Sequence, residues 1–422
     1  MKISLMADLH LNKTIYKGVM DEDFTDLPFR NADMMRAFEF SIDKNINETH
    51  PDLIVILGDI YNSPNPLNPS RTFFNSQLKK LAAANIPVII LIGNHDVCSK
   101  HHALEPIAAL GLKNVKVIVT PTIISFKDKV LMLFPYSLEV EKKEIEIRDQ
   151  FHKFVEESKV KLQTPPYLNK DIFFFGHFGV NGAIKNSYEE ESDSLSGLDM
   201  VVTKRNLINH NEGDISISDL ESIGAKYIFL GDYHQHQVLG TKNAISFYIG
   251  SPEKGNFAEK DHKKGFVVYD SDINPVKPLG SCIHVEYPFC RPMIELKGTY
   301  EDMVKDMVSR PESSKTLIKT SFVGDEKQLL EYSIKLEDFK KQLQSRFKPI
   351  HIFSSQKIVN EEEEKEASQI EKDILSSGHI SDDDVRDVAE EGIKEKEKDP
   401  EEQAILIKMS NEIYQETKEG EQ

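Results

Sequence analysis

Paired cysteines and long apolar runs are both scarce in this 422-residue sequence. The three cysteines, Cys98, Cys282 and Cys290, form no CxxC pair and are odd in number, which fits reduced thiols better than a disulfide framework. No apolar stretch approaches the roughly 18 residues that a membrane helix needs. The opening MKISLMADLHLN has one Lys and a strand-length apolar run that leads straight into charged residues. It lacks the long apolar core and cleavage site of a secretory signal, so cytoplasmic retention is expected, in a host cell if the chain is viral. No internal repeat is evident. Positive charge is also short, with 52 Lys and Arg against 70 Asp and Glu and a formal charge of −18. That balance argues at first against a nucleic-acid partner, since phosphate contacts need cations. Residues 361–422, however, hold 22 acidic and 8 basic side chains, so the body that precedes them is close to neutral.

What the chain does have is alternation. KISLMA, LIVIL and PVIILI are separated by helical patterns over Asn31 to Asn47 and Ser70 to Ala84, the signature of a layered α/β fold with buried strands. VLMLF, DIFFF, KYIFL, SFYI and GFVVY are further strand candidates, with helical patterns at Glu139 to Lys161 and Ser216 to Ile223. DSDINPVKPLGS, from Asp270 to Ser281, collects turn residues and suggests a boundary. Strand, helix, strand, helix, strand then follow in RPMIELKG, TYEDMVKDMVSR, KTLIKTSF, EKQLLEYSIKLEDFKKQLQSRF and KPIHIF. Beyond Asn360 the chain is too polar to fold alone. The exception is AILIKMSNEIY, where Ile405, Leu406, Met409, Ile413 and Tyr414 recur at helical spacing, suiting a partner-binding helix or one that packs back on its own body.

Five motifs begin where predicted strands end. Asp8 and His10 close KISLMADLH, Gly58 and Asp59 close LIVILGD, and Asn94, His95 and Asp96 close PVIILIGNHD. His177 closes DIFFFGH, and Asp232 and His234 close KYIFLGDYH. In open α/β sheets ligands bind outside the carboxyl ends of strands, so these side chains are expected to form one polar cluster. Carboxylates, a carboxamide and imidazoles without a thiolate suit Mn²⁺, Fe²⁺, Zn²⁺ or Mg²⁺, with Mn²⁺ the first choice. Two such ions need a bridging ligand, and Asp59, central in the order of strand ends, is the natural one.

The order DxH, GD, GNHD, GH and a final Gly-x-x-His resembles the calcineurin-like metallophosphoesterases. Three longer stretches narrow the likeness to the SbcD and Mre-eleven nuclease branch. FRNADMMRAFEFSIDKNINETHPDLIVILGDIY is similar to the opening of those proteins, FGHFGVNGA to their His-x-x-x-x-Gly-Ala element, and FYIGSPEKGNFAEKDHKKGFVVYD to their Gly-Ser-Pro-Glu and Lys-Lys-Gly-Phe strands. The resemblance implies a metallophosphoesterase β-sandwich flanked by helices, with a small α+β capping domain and a helical or disordered acidic tail. On it, residues 1–285 form the nuclease domain, 286–358 the cap, and 359–422 a tail whose C-terminal helix binds a partner.

It further implies that Asp8, His10, Asp59 and His234 hold one ion and that Asp59, Asn94, His177 and Asp232 hold the other. His95 would stand near the leaving-group oxygen, and Asp96 would orient it. Implied partners are DNA, an SMC-like ATPase of the SbcC type and a second copy of the nuclease chain. Two departures stand out. Asp232 takes the place of an imidazole in the last motif, with His236 a reserve ligand, and Asn62 replaces a His often found three residues after the bridging Asp. A free-standing phosphoesterase on a small diester or phosphoprotein, and a scaffold subunit with a decayed site, are the alternatives. Basic residues at Lys13 to Arg30, Lys185, Lys204 and Arg205 are scattered and assign no DNA contact.

Overall fold

The structure is a computed structural model that describes residues 1–13, 20–23, 27–184, 215–273 and 278–358. The proposed C-terminal helix, Lys185, Lys204 and Arg205 lie outside the described residues. In chain order the first elements are β1 (Lys2–Met6), α1 (Phe29–Lys44), β2 (Leu53–Leu57), α2 (Asn68–Ala83) and β3 (Val88–Leu91). A small hairpin of β4 (Val97–Cys98) and β5 (His101–His102) precedes β6 (Val115–Ile118). β1, β2, β3 and β6 run parallel, each crossover supplied by a helix or by the short hairpin and turn that follow β3.

The next group comprises β7 (Thr122–Phe126), β8 (Lys129–Phe134), α3 (Leu138–Glu141), α4 (Ile147–Leu162), β9 (Asp171–His177) and α5 (Ile217–Ser222). It continues through β10 (Tyr227–Gly231), β11 (Gln237–Val238) and β12 (Ile245–Tyr248). These strands form a second sheet in the order β11-β12-β10-β9-β8-β7, with β8, β9, β10 and β12 parallel. The chain then returns to the first sheet as β13 (Gly265–Asp270) and β14 (Cys282–Glu286), completing β14-β13-β1-β2-β3-β6.

The two sheets lie face to face because their strands are apolar on both sides. Ile3, Leu5, Val55 and Leu57 from one sheet meet Leu131, Leu133, Phe173, Phe175 and Phe229 from the other, all within 1% of full burial. The alternate residues point outward. Ile54 and Ile56 pack under Met35 and Phe38 of α1 and Phe74 and Leu78 of α2. Phe174 and Ile228 pack under Phe151 and Val155 of α4 and Leu220 of α5. Near-continuous apolar runs follow from this double coverage. The helical pattern expected over Glu139 to Lys161 is broken into α3 and α4, because Lys143 takes a left-handed φ of 56° that ends a helix.

A smaller sheet, β15 (Met293–Gly298), β16 (Leu317–Gly324) and β17 (His351–Ile358), follows with α6 (Tyr300–Ser309) and α7 (Glu326–Phe347). β15 and β16 are parallel, and α6 packs on β15. The chain divides into two compact units, Met1–Phe322 with Ile334–Gln356, and Val323–Ser333 with Lys357–Gln422. Within the first unit, Phe29 and Phe257 pack with Met293 and Leu317, so the small sheet shares apolar contacts with the start of α1. No described helix is long and apolar enough to cross a membrane.

A buried charge cluster sits beside that contact. Asp33 of α1 accepts from Arg30 at 2.5 Å and from Arg291 Nε at 2.8 Å, while Arg291 Nη1 donates to the Lys315 carbonyl at 3.0 Å. Removing one member of a buried charge cluster strands the others in a poorly solvating interior. Asp33→Ala is therefore expected to lower stability by about 3–5 kcal/mol in chemical denaturation. A loss under about 1 kcal/mol would show that the cluster does not tie the small sheet's start to α1.

Candidate metal centre

The ends of β1, β2, β9 and β10 and the turn after β3 converge on one edge of the sandwich. Register explains this. β9 and β10 are paired so that His177 stands opposite Gly231, and β1 and β2 so that Met6 stands opposite Ile56. Each strand then turns sharply. Asp8, His10, Asp59 and Asp232 all adopt positive φ, at 53°, 43°, 50° and 99°. Left-handed backbone is costly for residues with a Cβ, less so for Asp and Asn, and it clusters where side chains must be aimed.

Asp8, Asp59 and His177 form a fully buried triad whose ligand atoms lie within 4.8 Å of one another. His177 Nε2 is 3.3 Å from Asp59 Oδ1 and 2.9 Å from Asn94 Oδ1. Its other nitrogen, Nδ1, donates to the Leu57 carbonyl at 2.7 Å, which fixes the ring and turns Nε2 toward the carboxylates. On the opposite side His10 Nε2 stands 3.6 Å from Asp59 Oδ2 and 2.9 Å from His234 Nε2. The Asp232 backbone N–H donates to Asp8 Oδ1 at 3.0 Å. His95 donates its backbone N–H to Asp59 Oδ1 at 3.0 Å while its ring is exposed.

Asp96 is fully buried and accepts three backbone N–H groups, those of Gly93, Ile60 and Tyr61, at 3.0, 3.1 and 2.9 Å. Its carboxylate thus staples the turns after β2 and β3 together, and its hold on His95 runs through that backbone. His236, the reserve ligand, bonds the Tyr248 carbonyl at 2.9 Å and stacks on His284.

The donor set fits a divalent cation. Asp8 Oδ2 is buried without a hydrogen-bond partner, and two imidazole nitrogens, His10 Nε2 and His234 Nε2, face each other at 2.9 Å. Two nitrogens each about 2.1 Å from one ion and at right angles to it would stand about 3.0 Å apart. Glycine keeps the space clear. A Cβ on Gly93 would lie 2.1 Å from Asp59 Oδ1 and 2.8 Å from His177 Nε2, and one on Gly58, at φ 86°, 2.3 Å from His177 Nδ1.

Charge reinforces the geometry. Burial alone would strip the proton from His177, but Asp59, with Asp232 and Asp8 behind it, outweighs burial and pushes the imidazole up to about 10. Burial raises Asp8 to about 6 against the pull of His234 and His177. Burial also acts upward on Asp59, yet His177, His10 and His95 hold it below the usual carboxylate range. His10 is driven well down by burial and then by His234. Burial and then the Asp59 charge push Asp96 up to about 7. The field that keeps a proton on His177 would hold a cation in its place.

One participant has no local sequence signal. Glu259, in a short 3-10 turn (Phe257–Glu259), accepts from His234 Nδ1 at 2.9 Å and pairs with Lys264 at 2.5 Å. Burial would raise this carboxyl, but Lys264 and then His234 bring it well below its ordinary value.

A calcineurin-like phosphoesterase family model matches residues 1–236. Among curated proteins the chain is similar to the DNA double-strand break repair protein Mre11 of Methanococcus maripaludis, 26% identical over 286 residues and 65% of each chain. It is also similar to an SbcCD nuclease subunit of Staphylococcus epidermidis, 23% identical over 349 residues, covering 73% of this chain and 75% of that one. The chain thus spans 65% of the length of the archaeal relative. A solved structure of the phosphopantetheinyl hydrolase of Mycobacterium tuberculosis aligns with TM-score 0.33 and 12% identity over 60% of this chain and 90% of that one.

The cradle gives a direct test. Gly93→Ala places a methyl group where Asp59 and His177 approach each other, and bound Mn²⁺ measured by elemental analysis is expected to fall to less than about a tenth of wild type, a loss on the scale of a disrupted ligand shell. Undiminished metal content in a folded Gly93→Ala protein would move the site elsewhere.

Proposed function

The chain belongs to the calcineurin-like phosphoesterases, and on that footing, as a metal-dependent hydrolase, we propose that it is the DNA-cutting subunit of an SbcCD-like repair or recombination complex. The observation that carries the DNA reading is the extent of the likeness. The similarity to the staphylococcal SbcCD protein covers 73% of the chain, more than the 236 residues that the family as a whole accounts for. The proposed partners are an SbcC-type ATPase and a second copy of this chain. In this reading residues 1–285 form the nuclease domain, 286–358 a cap, and 359–422 a tail that docks the ATPase.

The proposed centre holds two divalent ions, Mn²⁺ first. Asp8, His10, Asp59 and His234 would hold one, and Asp59, Asn94, His177 and Asp232 the other, with Asp59 shared. When bound, such a pair polarises phosphoryl oxygens and supplies a hydroxide nucleophile at neutral pH. The chain's own residues do the rest. Leu57 fixes His177, Asp8 receives the Asp232 backbone, and Asp59 is fully enclosed, so the ligands are held before any substrate arrives. His95 differs in that its ring is exposed while its backbone is tied to Asp59. That placement suits a group that meets the substrate and hands a proton to the leaving oxygen. Asp96 keeps the His95 backbone in place through the turns it binds. Asp232 would be an oxygen ligand where the family commonly carries imidazole, which would shift preference toward harder ions such as Mn²⁺ or Mg²⁺.

Two variants separate ligand from proton donor. Asp59→Ala is expected to lose most bound metal, whereas His95→Ala keeps it and loses turnover by about 10²-fold or more. Full turnover by metal-loaded His95→Ala would remove that ring from the mechanism. The substrate reading is tested on purified protein with Mn²⁺, comparing duplex DNA, single-stranded DNA and a chromogenic phosphodiester, with and without the ATPase. Cleavage of the small diester with no cleavage of either DNA under any condition would replace the nuclease reading with a free-standing phosphoesterase.

A further inference from the structure

His234 is held at both of its ring nitrogens. Its Nε2 faces His10 Nε2 at 2.9 Å, and its Nδ1 lies 2.9 Å from Glu259 Oε1. A carboxylate can only accept, so Nδ1 carries the proton and Nε2 is left with a lone pair directed at the metal site. Glu259 is itself constrained on its other oxygen. Oε2 accepts from Lys264 Nζ at 2.5 Å and from the Gly255 N–H at 2.8 Å. Lys264 in turn donates to the His234 carbonyl and to Ser251 Oγ, each at 2.8 Å, so one lysine grips both the backbone of His234 and the carboxylate that holds its ring.

The surroundings confine the carboxylate closely. Glu259 and Lys264 are both fully enclosed. A Cβ on Gly255 would stand 2.7 Å from Glu259 Oε1, so glycine there makes room for the carboxylate. Phe257, two residues earlier in the same turn, packs against Met293 and Leu317 of the small sheet, and Lys260, the residue after Glu259, pairs with Glu295 of that sheet at 3.3 Å. The turn that carries Glu259 is therefore pinned on its far side by β15 and β16.

We propose that Glu259, braced by Lys264, is a positioning residue of the metal centre that fixes the Nδ1–H tautomer of His234 and so makes its Nε2 available as a ligand. This rests on the metallophosphoesterase reading for the identity of the ligand, but the tautomer is a property of the chain alone. Carboxylates behind metal-bound imidazoles commonly change metal affinity about 10- to 100-fold when removed.

Glu259→Gln discriminates sharply. The amide offers one oxygen to three donors, the Lys264 ammonium, the Gly255 N–H and the His234 Nδ1–H. With its oxygen drawn to Lys264 and Gly255, its NH₂ faces His234 Nδ1, which must then accept, and the ring proton moves to Nε2, where it blocks the ligand position. In metal-free protein at alkaline pH, ring ¹⁵N shifts are expected to show His234 protonated at Nδ1 in wild type and at Nε2 in Glu259→Gln. Mn²⁺ titration is expected to show the affinity of one site falling about 10- to 100-fold in the variant, with activity restored by raising Mn²⁺. A folded Glu259→Gln protein with unchanged tautomer and unchanged Mn²⁺ affinity, even if less stable, would make the ion pair purely structural and overturn the proposal. If the variant does not fold, the wild-type ring decides: Nδ1–H supports the proposal and Nε2–H refutes it. A wild-type protein that binds no Mn²⁺ would sink the metallophosphoesterase reading while the ring shifts still report on Glu259.

Discussion

Burying Asp8 and Asp59 side by side is the constraint on which the rest of this structure turns. Two carboxylates without solvent cannot both stay ionised unless positive charge is brought to them. His177 answers part of that need from β9, and His10 and His234 bring imidazole rings to the other side. The arrangement is poor as a self-contained cluster. One oxygen of Asp8 is unsatisfied, two imidazole nitrogens confront each other, and glycines keep the middle open. These same defects are what a cation corrects.

The fold serves that constraint. Parallel strands deliver their carboxyl ends to one edge, and two sheets packed face to face double the number of ends available there. The left-handed turns at Asp8, His10, Asp59 and Asp232 are the local cost of aiming short side chains back across the edge, of order 1–3 kcal/mol each for a residue with a Cβ and less for Asp. Interior aromatic and aliphatic packing, with Phe173, Phe175 and Phe229 between the sheets, keeps those turns in place. Asp96 contributes in a different way from a ligand, by binding the turns after β2 and β3 through three backbone N–H groups.

Much of this was legible in the sequence because the strands that carry ligands are the most apolar in the chain. LIVIL, PVIILI and DIFFF are buried on both faces, so their ends, and the Asp, Asn and His residues just beyond, stand out against them. The two packed sheets followed from the resemblance and not from the alternation, since periodicity reports burial and says nothing of which strands pair. Edge strands escaped notice. β14, with Cys282, His284 and Glu286 on a half-exposed edge, has neither an apolar run nor clean alternation, and β7 is only partly buried along its length. The α3 to α4 break depended on the backbone of Lys143, which carries no breaker residue. Glu259 was invisible for another reason. It lies 25 residues after His234 in a polar stretch, and only the folded position of its turn, against the small sheet and beside Lys264, brings it to the ring.

Anomalous diffraction from crystals grown with Mn²⁺ examines the central claim most directly, because it locates the ions without reference to activity. The account predicts strong manganese peaks among Asp8, His10, Asp59, Asn94, His177, Asp232 and His234, with the Asp59 carboxylate in contact. Crystals of folded protein in saturating Mn²⁺ that show no peak at these residues, or manganese only elsewhere on the surface, would contradict it.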